Sequence, residues 1–162
     1  MFKRNPLLVA VTVAVMAVWG CNPRAAEIPI GPVAKEIQAR GYRAQKIFTV
    51  PPTDWESSTF RLRSRVMVAF KAEQPLANER ETYYVRFSLA EETYDSGADA
   101  QARLDHLHDA TPGGPVEDEY TRVMRDGFVV DRTLYVLQTD AAIFLPEIHR
   151  LTKTLAASQT AR

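Results

Sequence analysis

The stretch FRLRSRVMVAFKA, residues 60–72, decides the fold class, because its side chains alternate along the chain between apolar and charged. The alternate positions, interrupted once by Ser64, are apolar: Phe60, Leu62, Val66, Val68, Phe70 and Ala72. A period of two over this length predicts a β-strand with one buried face. A straight strand over residues 58–72 spans about 50 Å, whereas a domain of this size has a radius of gyration of about 14 Å. We therefore expect the strand to bend or bulge, and Ser64 marks the expected place.

The stretch TYYVRFSL, residues 82–89, repeats this pattern and predicts a partner strand. Tyr83, Val85, Phe87 and Leu89 share one side of it. The connection over residues 73–80 is polar and contains Pro75 and Asn78, which favour a loop. The two strands are expected to pair as an antiparallel hairpin with one covered face and one wetter face.

Helical and strand patterns on either side complete the predicted fold. Helices are expected at residues 32–40, from an N-cap at Ser96 to about residue 110, and from a cap at Asp140 with a restart at Pro146. Further strands are expected at residues 44–50, 120–125 and 128–139, with a bulge at Gly127 and a turn at Asp131 and Arg132. The order α-β-β-β-α-β-β-α predicts an α+β domain. Its antiparallel sheet of about five strands would have helices packed on one face.

The charged positions of the central hairpin define a predicted surface for binding an anion or a partner. Side chains on alternate positions lie about 7 Å apart, which suits successive phosphates or carboxylates. The surface comprises Arg61, Arg63, Arg65, Lys71, Tyr84 and Arg86. The alternative is a solvated sheet face, resistant to aggregation and balanced by acids such as Glu79 and Glu81. Trp55, upstream in a loop, is interpreted as a plug of the core rather than a binding platform.

The first residues, MFKRNPLLVAVTVAVMAVWGC, have the pattern of an export signal. Lys3 and Arg4 form a basic start, and residues 7–19 form an uncharged, almost wholly apolar run. This run is shorter than the about 20 residues that a membrane-spanning helix needs, so it fits a secretory signal peptide. Cys21 is the only cysteine in the chain, which excludes an intramolecular disulfide.

Gly20 followed by Cys21 resembles the lipobox of bacterial lipoprotein signal peptides. Val18 suits that pattern, whereas Trp19 stands where a small residue is usual. The resemblance covers residues 1–22 and implies a signal peptide over residues 1–20 and a lipidated, acylated Cys21 at the new amino terminus. Asn22, in place of the aspartate that favours inner-membrane retention, implies the outer membrane. The alternative is an ordinary signal peptide or an uncleaved anchor with an incidental cysteine.

The remainder of the chain divides into a tether, one domain and a tail. Residues 21–32 are rich in proline and form a semi-stiff tether, residues 33–158 suit a single α+β domain, and residues 159–162 are expected to be disordered. Without residues 1–20 the chain loses two of its 20 basic side chains and none of its 20 acidic ones, which leaves a net charge of −2. This balance excludes a general nucleic-acid binder.

The residues that carry chemistry form no familiar catalytic or metal-binding pattern. His106 and His108 lie near Asp105 and Asp109, but side chains two positions apart on a helix point in different directions. Histidines near a helix C-terminus also interact favourably with the helix dipole without any ligand. The motifs G-x-S-x-G and H-E-x-x-H and a glycine-rich phosphate loop do not occur in the sequence. The sequence therefore predicts no metal, no cofactor and no catalytic residue.

These observations favour a non-enzymatic lipoprotein that faces the periplasm, is held at the membrane by Cys21, and binds an envelope protein or an anionic lipid or glycan. Two alternatives stay open. One is a periplasmic enzyme with a site beside Tyr94, Asp95 and the two histidines His106 and His108. The other is a carrier that holds a small apolar ligand between the sheet and the helices.

Overall fold

The structure, a computed structural model, describes residues 28–77, 82–109 and 124–161. Its strands are β1 (Tyr42–Thr49), β2 (Leu62–Ala72), β3 (Leu76–Ala77), β4 (Thr82–Tyr83), β5 (Arg86–Tyr94), β6 (Met124–Val130) and β7 (Thr133–Thr139). Its helices are α1 (Pro32–Ala39), α2 (Asp54–Thr59), α3 (Gly97–Asp109) and α4 (Leu145–Thr160). Five strands form one antiparallel sheet in the order β1-β2-β5-β7-β6, and β3 and β4 form a separate ribbon. The α+β class, the antiparallel sheet and the approximate order of elements are confirmed.

Different helices cover the two faces of the sheet. Tyr135 and Leu137 belong to the core beneath α1 and α4, on what we call the first face. Leu134 and Val136 belong to the core beneath α3 and the end of α2, on the second face. The expectation that helices cover one face only is therefore wrong. The physical reason lies in β7, which is apolar on both sides over these four residues and must be shielded from water on both.

A bulge in β2 reverses the direction of its side chains. Leu62 and Ser64 lie opposite Tyr94 and Thr93, which are consecutive residues of β5, so Arg63 is an extra residue. Leu62 consequently packs on the second face, whereas Val66, Val68, Phe70 and Ala72 pack on the first. A bulge at Ser64 was expected from the length of the strand, and the structure confirms it to within one residue.

The short helix α2 was not predicted from the sequence. It begins with a capping box, in which Thr53 Oγ1 accepts a hydrogen bond from Glu56 N at 3.2 Å and the Glu56 carboxylate accepts one from Thr53 N at 3.0 Å. Trp55 lies on this helix with 50% of its surface exposed. Its interpretation as a core plug in a loop is wrong, because the helix directs Glu56 rather than Trp55 toward the sheet.

β6 and α3 approach each other closely at Gly127. A Cβ atom there would lie 2.8 Å from Tyr135 O and 3.3 Å from Leu104 Cδ1, so only glycine fits without a shift. The pairing of β6 with β7 continues through this residue without a change of register. The bulge predicted at Gly127 is therefore wrong, whereas the predicted turn at Asp131 and Arg132 is confirmed.

The starts of the last two helices follow the sequence in part. Ser96 Oγ accepts a hydrogen bond from Asp99 N at 3.2 Å, as expected of the cap of α3. A short 3-10 turn, Ala142–Phe144, precedes α4, and Pro146 lies in the first turn of that helix. The restart at Pro146 is confirmed, but Asp140 caps neither segment.

The described structure extends past the predicted limits of the domain at both ends. Ile30, expected in the tether, packs against the core of the first face. α4 continues to Thr160, into the segment that was predicted to be disordered. Among residues 28–77, 82–109 and 124–161, no helix has the length and apolar character needed to cross a membrane. Cys21 and the leader lie outside the described residues.

Candidate functional site

The residues of the predicted binding surface lie at two ends of β2. Arg61, Arg63 and Arg65 are at its start, beside α2 and α3, whereas Lys71 is at its end and pairs with Arg86 of β5. Each of the three arginines has a carboxylate partner, and we call this group with its partners the paired end. The structure therefore divides the predicted surface into two separate parts, one at each end of β2.

Arg65 joins α2 to β5 through a buried network of ion pairs. Its Nε lies 2.6 Å from Glu92 Oε1, and its Nη2 donates to Glu56. The three side chains are only 13%, 5% and 9% exposed. Burial by itself raises the pKa of Glu56, but the hydrogen bonds from Arg65 and from the Thr53 backbone outweigh it and hold that pKa below its usual value. The Arg65 guanidinium thus belongs to the fold and is not free to bind a ligand.

The other two arginines of the paired end form ion pairs at the surface. Arg63 makes a bidentate pair with Asp95, whose pKa is lowered first by that hydrogen bond. Arg61 Nη1 lies 3.5 Å from Asp99 Oδ1. These acids follow β5 and begin α3, so the chain neutralises its own arginines here.

An aromatic and cationic layer covers the buried network. Arg103 Nη2 lies 3.3 Å from Glu56 Oε1, and the guanidinium carbon lies 5.7 Å and 5.3 Å from the ring centroids of Trp55 and Phe60. Arg103 Nε is buried and has no hydrogen-bond partner within the described part of the chain. The layer fixes α2 against α3.

The residues considered for metal binding or catalysis are placed in this layer or beside it. The ring of His106 packs 5.5 Å from Trp55 and 5.4 Å from Phe60, measured between centroids. Tyr94 is 1% exposed and donates to Glu92, so it does not line a cleft. Within the three described ranges, no group of three or more His, Cys, Asp or Glu side chains is arranged to hold a metal ion.

At the other end of β2, three cations lie directly opposite one another on neighbouring strands. Arg43 of β1 pairs with Lys71, and Lys71 pairs with Arg86 of β5, which makes a cationic rung across the second face. Side chains in this relation have Cβ atoms about 5 Å apart, and like charges placed so are destabilising. None of the three forms an ion pair with a carboxylate in the described part of the chain. Lys71 Nζ instead lies 4.4 Å from the ring centroid of Tyr84.

Two further cations lie at the two ends of the neighbouring rung of the second face, which runs through Ala69, Ser88 and Gln138. Lys46 follows on β1, with its Nζ 5.0 Å from the ring centroid of Phe48. Arg125 of β6 lies opposite Gln138 of β7 and is half-buried. Its pKa is lowered by burial and then by the positive charge of Arg103, and these effects outweigh the opposite effect of the Glu92 carboxylate. We call the five residues the cationic surface: Arg43, Lys46, Lys71, Arg86 and Arg125.

An open groove of about 600 Å³ lies at Lys71 and Arg86 of the cationic surface. Lys71, Arg86 and Asp140 are its charged lining residues, and Gln45, Ser88 and Gln138 are neutral and polar. These residues continue the second face beyond Ala90 and Val136, at which its apolar core ends. The volume lies in the range of about 300–1,000 Å³ that small-ligand sites occupy.

Sequence reasoning identified Lys71, Tyr84 and Arg86 but missed the residues contributed by the outer strands. Arg43 and Gln45 face this region only because of the register of β1 on β2, which shifts between Ala44 and Lys46. Arg125 reaches it because β7 lies between β5 and β6. The sequence signal for these residues was the cluster of polar side chains in β1. This cluster indicates a position in the site only when the pairing of β1 with β2 is known.

The candidate site is therefore a cationic, partly concave region of an antiparallel sheet, distinct from the neutralised arginines at the paired end. It can bind negative charge through two or three neighbouring cations at once. Comparison with known proteins supplies no relative, since no family model, no curated protein and no solved structure matches this chain.

Proposed function

We propose that this chain is a non-enzymatic lipoprotein of the cell envelope whose domain binds an anionic envelope component through the cationic surface. The observation that carries the binding part is the rung of Arg43, Lys71 and Arg86, which lacks a carboxylate partner among the described residues. Three adjacent like charges cost free energy, and a bound anion would recover it. The paired end supports this interpretation by contrast, because there the chain supplies an acid for every arginine.

The membrane part of the proposal rests on the leader and on the short distance between Cys21 and the fold. Ile30 already packs against the core, and nine residues of chain reach at most about 32 Å. Several acyl chains at about 0.8 kcal/mol per buried methylene hold such an anchor stably at the membrane. A domain tethered in this way meets anions displayed at the membrane surface at a high local concentration.

The anchor is tested by growing cells with labelled fatty acid. The wild-type chain is expected to incorporate the label and to be found in the membrane fraction. The Cys21→Ala variant is expected to incorporate none, because it lacks the thiol that receives the lipid. Absence of label from the wild type as well would contradict lipidation, and it would leave the binding surface to be judged separately.

The binding surface is tested with fluorescent inorganic polyphosphate and the full-length chain in detergent. The double variant Lys71→Gln/Arg86→Gln is expected to bind about tenfold more weakly or worse, because it loses two charge-assisted contacts. The matched control is Arg61→Gln/Arg63→Gln, which removes the same charge from the paired end. Equal weakening in both variants would show that net charge alone drives binding and would overturn the proposed site.

A further inference from the structure

We infer that the anionic component is an acidic saccharide, whose acid group lies on the cationic rung and whose hydroxyl groups lie on Gln45, Ser88 and Gln138 in the groove. This inference rests on the proposed function, because it takes the cationic surface as the binding site. It adds the chemical class of the ligand, which charge alone does not specify.

The neutral lining of the groove is the first reason. Ser88 pairs with Gln138 across β5 and β7, so their side chains lie together on the position next to the cationic rung. Gln45 reaches the same groove from β1. Amide and hydroxyl groups both donate and accept hydrogen bonds, which matches the hydroxyl groups of a sugar. Successive positions on one face lie about 7 Å apart, comparable to the length of one sugar unit.

Asp140 gives the second reason. Asp140 is one of the residues that line the groove, two positions along the chain from Gln138. It repels a ligand that carries only negative groups, such as polyphosphate, but accepts hydrogen bonds from hydroxyl groups. A groove lined by two cations, one acid and four neutral polar residues therefore favours a ligand that combines an acid with several hydroxyl groups.

The position of the groove gives the third reason. An extended peptide binds a sheet by adding to an edge strand, whereas this groove lies on a sheet face. The nearer edge strand, β1, is interrupted at Gln45 by a shift of register, which disfavours the addition of a strand.

The ligand class is tested by titrating the detergent-solubilised full-length chain with four probes. These are an oligosaccharide of uronic acids, a neutral oligosaccharide of the same length, a poly-glutamate peptide of the same charge, and inorganic polyphosphate. The uronic oligosaccharide is expected to bind about tenfold more tightly than poly-glutamate, because it gains hydrogen bonds at equal charge. The neutral oligosaccharide is expected to bind too weakly to measure.

Variants of the neutral lining separate hydroxyl recognition from charge. Gln138→Ala and Ser88→Ala are each expected to weaken binding of the uronic oligosaccharide about fivefold while leaving polyphosphate binding unchanged. The control Arg61→Gln/Arg63→Gln is expected to change neither. Thermal melting of each variant verifies that it is folded. If a variant does not fold, the relative affinities of the wild-type chain for the four probes still test whether the ligand is a saccharide.

Three outcomes would overturn the inference, and they are distinguishable from failure of the proposed function. Equal affinity for the uronic oligosaccharide and poly-glutamate, or equal loss of both ligands in Gln138→Ala, would leave a general anion site and no saccharide site. Tighter binding of poly-glutamate would indicate an acidic protein partner. Failure of the wild type to bind any of the three anions would remove the proposed function together with the inference.

Discussion

The two ends of β2 carry similar cationic side chains in opposite surroundings. At the start of the strand, Arg65 is enclosed by Glu56 and Glu92, and its side chain is 13% exposed. At the end of the strand, Lys71 lies beside Arg86 across the strand pair, with no acid as partner in the described residues. The sequence is denser in arginine at the first end, yet the cations that lack a carboxylate partner among the described residues are at the second. The number of cations thus says less about binding than the placement of carboxylates around them.

The comparison also separates stability from binding. A buried ion pair that loses one partner leaves the other charged and desolvated, so the paired end should respond strongly in unfolding experiments. Exposed like charges weaken the fold slightly and can be removed without harm to it. Each end should therefore be sensitive to a different measurement.

The largest effect is expected from Arg65→Met, which keeps much of the side-chain volume and removes the charge. It leaves Glu56 and Glu92 buried without their partner and should lower the free energy of unfolding by about 3–5 kcal/mol. The urea midpoint measures this change. Arg63→Met is the matched control at the paired end, and its midpoint is expected to stay unchanged because its ion pair with Asp95 is exposed. A similar decrease of the urea midpoint in both variants would show that burial does not determine how much these ion pairs contribute to stability.

A smaller effect is expected from acid. The folded-state pKa of Glu56 lies below its ordinary value of 4.5, and that of Asp95 lies below 3.8. The unfolded chain therefore takes up protons first as the pH falls. The stability from these groups is complete above their ordinary pKa values and is lost as the pH falls through the folded-state values.

Unfolding in urea at several pH values between about 3 and 6 measures the acid effect, and Glu56→Gln is expected to flatten the dependence. Polyphosphate binding at the cationic rung is expected to persist over this range until the domain unfolds. Binding that disappears well before unfolding would contradict a site that depends on Lys71 and Arg86.

The smallest effect is expected from Arg86→Gln, and its sign is opposite. Removing one of two like charges that face each other should raise the free energy of unfolding by about 0.5 kcal/mol, while polyphosphate binding weakens. A gain in stability with a loss of binding is the pattern of a functional residue kept at some cost to the fold. A loss of stability would instead show that Arg86 has a structural role and would weaken the comparison.

Much of the sheet could be predicted from the sequence, because a period of two is a local signal that needs no knowledge of the partner strand. β2 and β5 followed from their alternating residues, and the break near Ser64 followed from the length of the first strand. The covering of both sheet faces by helices is also encoded, in the four consecutive buried apolar residues of β7. The sequence prediction nevertheless placed the helices on one face. α2 was missed since it is six residues long and helices of that length depend on tertiary contacts.

The candidate site was predictable only in part. Lys71 and Arg86 follow the alternation after the bulge in β2, so their common face could be inferred. Arg65 also follows it, but the acid that covers it comes from the unpredicted α2. Arg43 and Gln45 required the register of β1, which a second irregularity shifts. Alternation therefore identifies which residues share a side of one strand, whereas a site spread over several strands requires their pairing.

Arg63, the extra residue of the bulge, shifts by one position which side chains of β2 point toward each face of the sheet. Leu62 and Phe60, before it, pack on the second face, whereas the alternate apolar residues after it, from Val66 to Ala72, pack on the first. Loss of this single residue would therefore turn Leu62, Phe60 and α2 toward the first face, which α1 and α4 cover. Composition and net hydropathy would hardly change, yet Arg65 would lose its cover. In this strand, we therefore expect the gain or loss of one residue to disturb the packing more than most substitutions do. Such a length variant would expose Arg65, which α2 now covers.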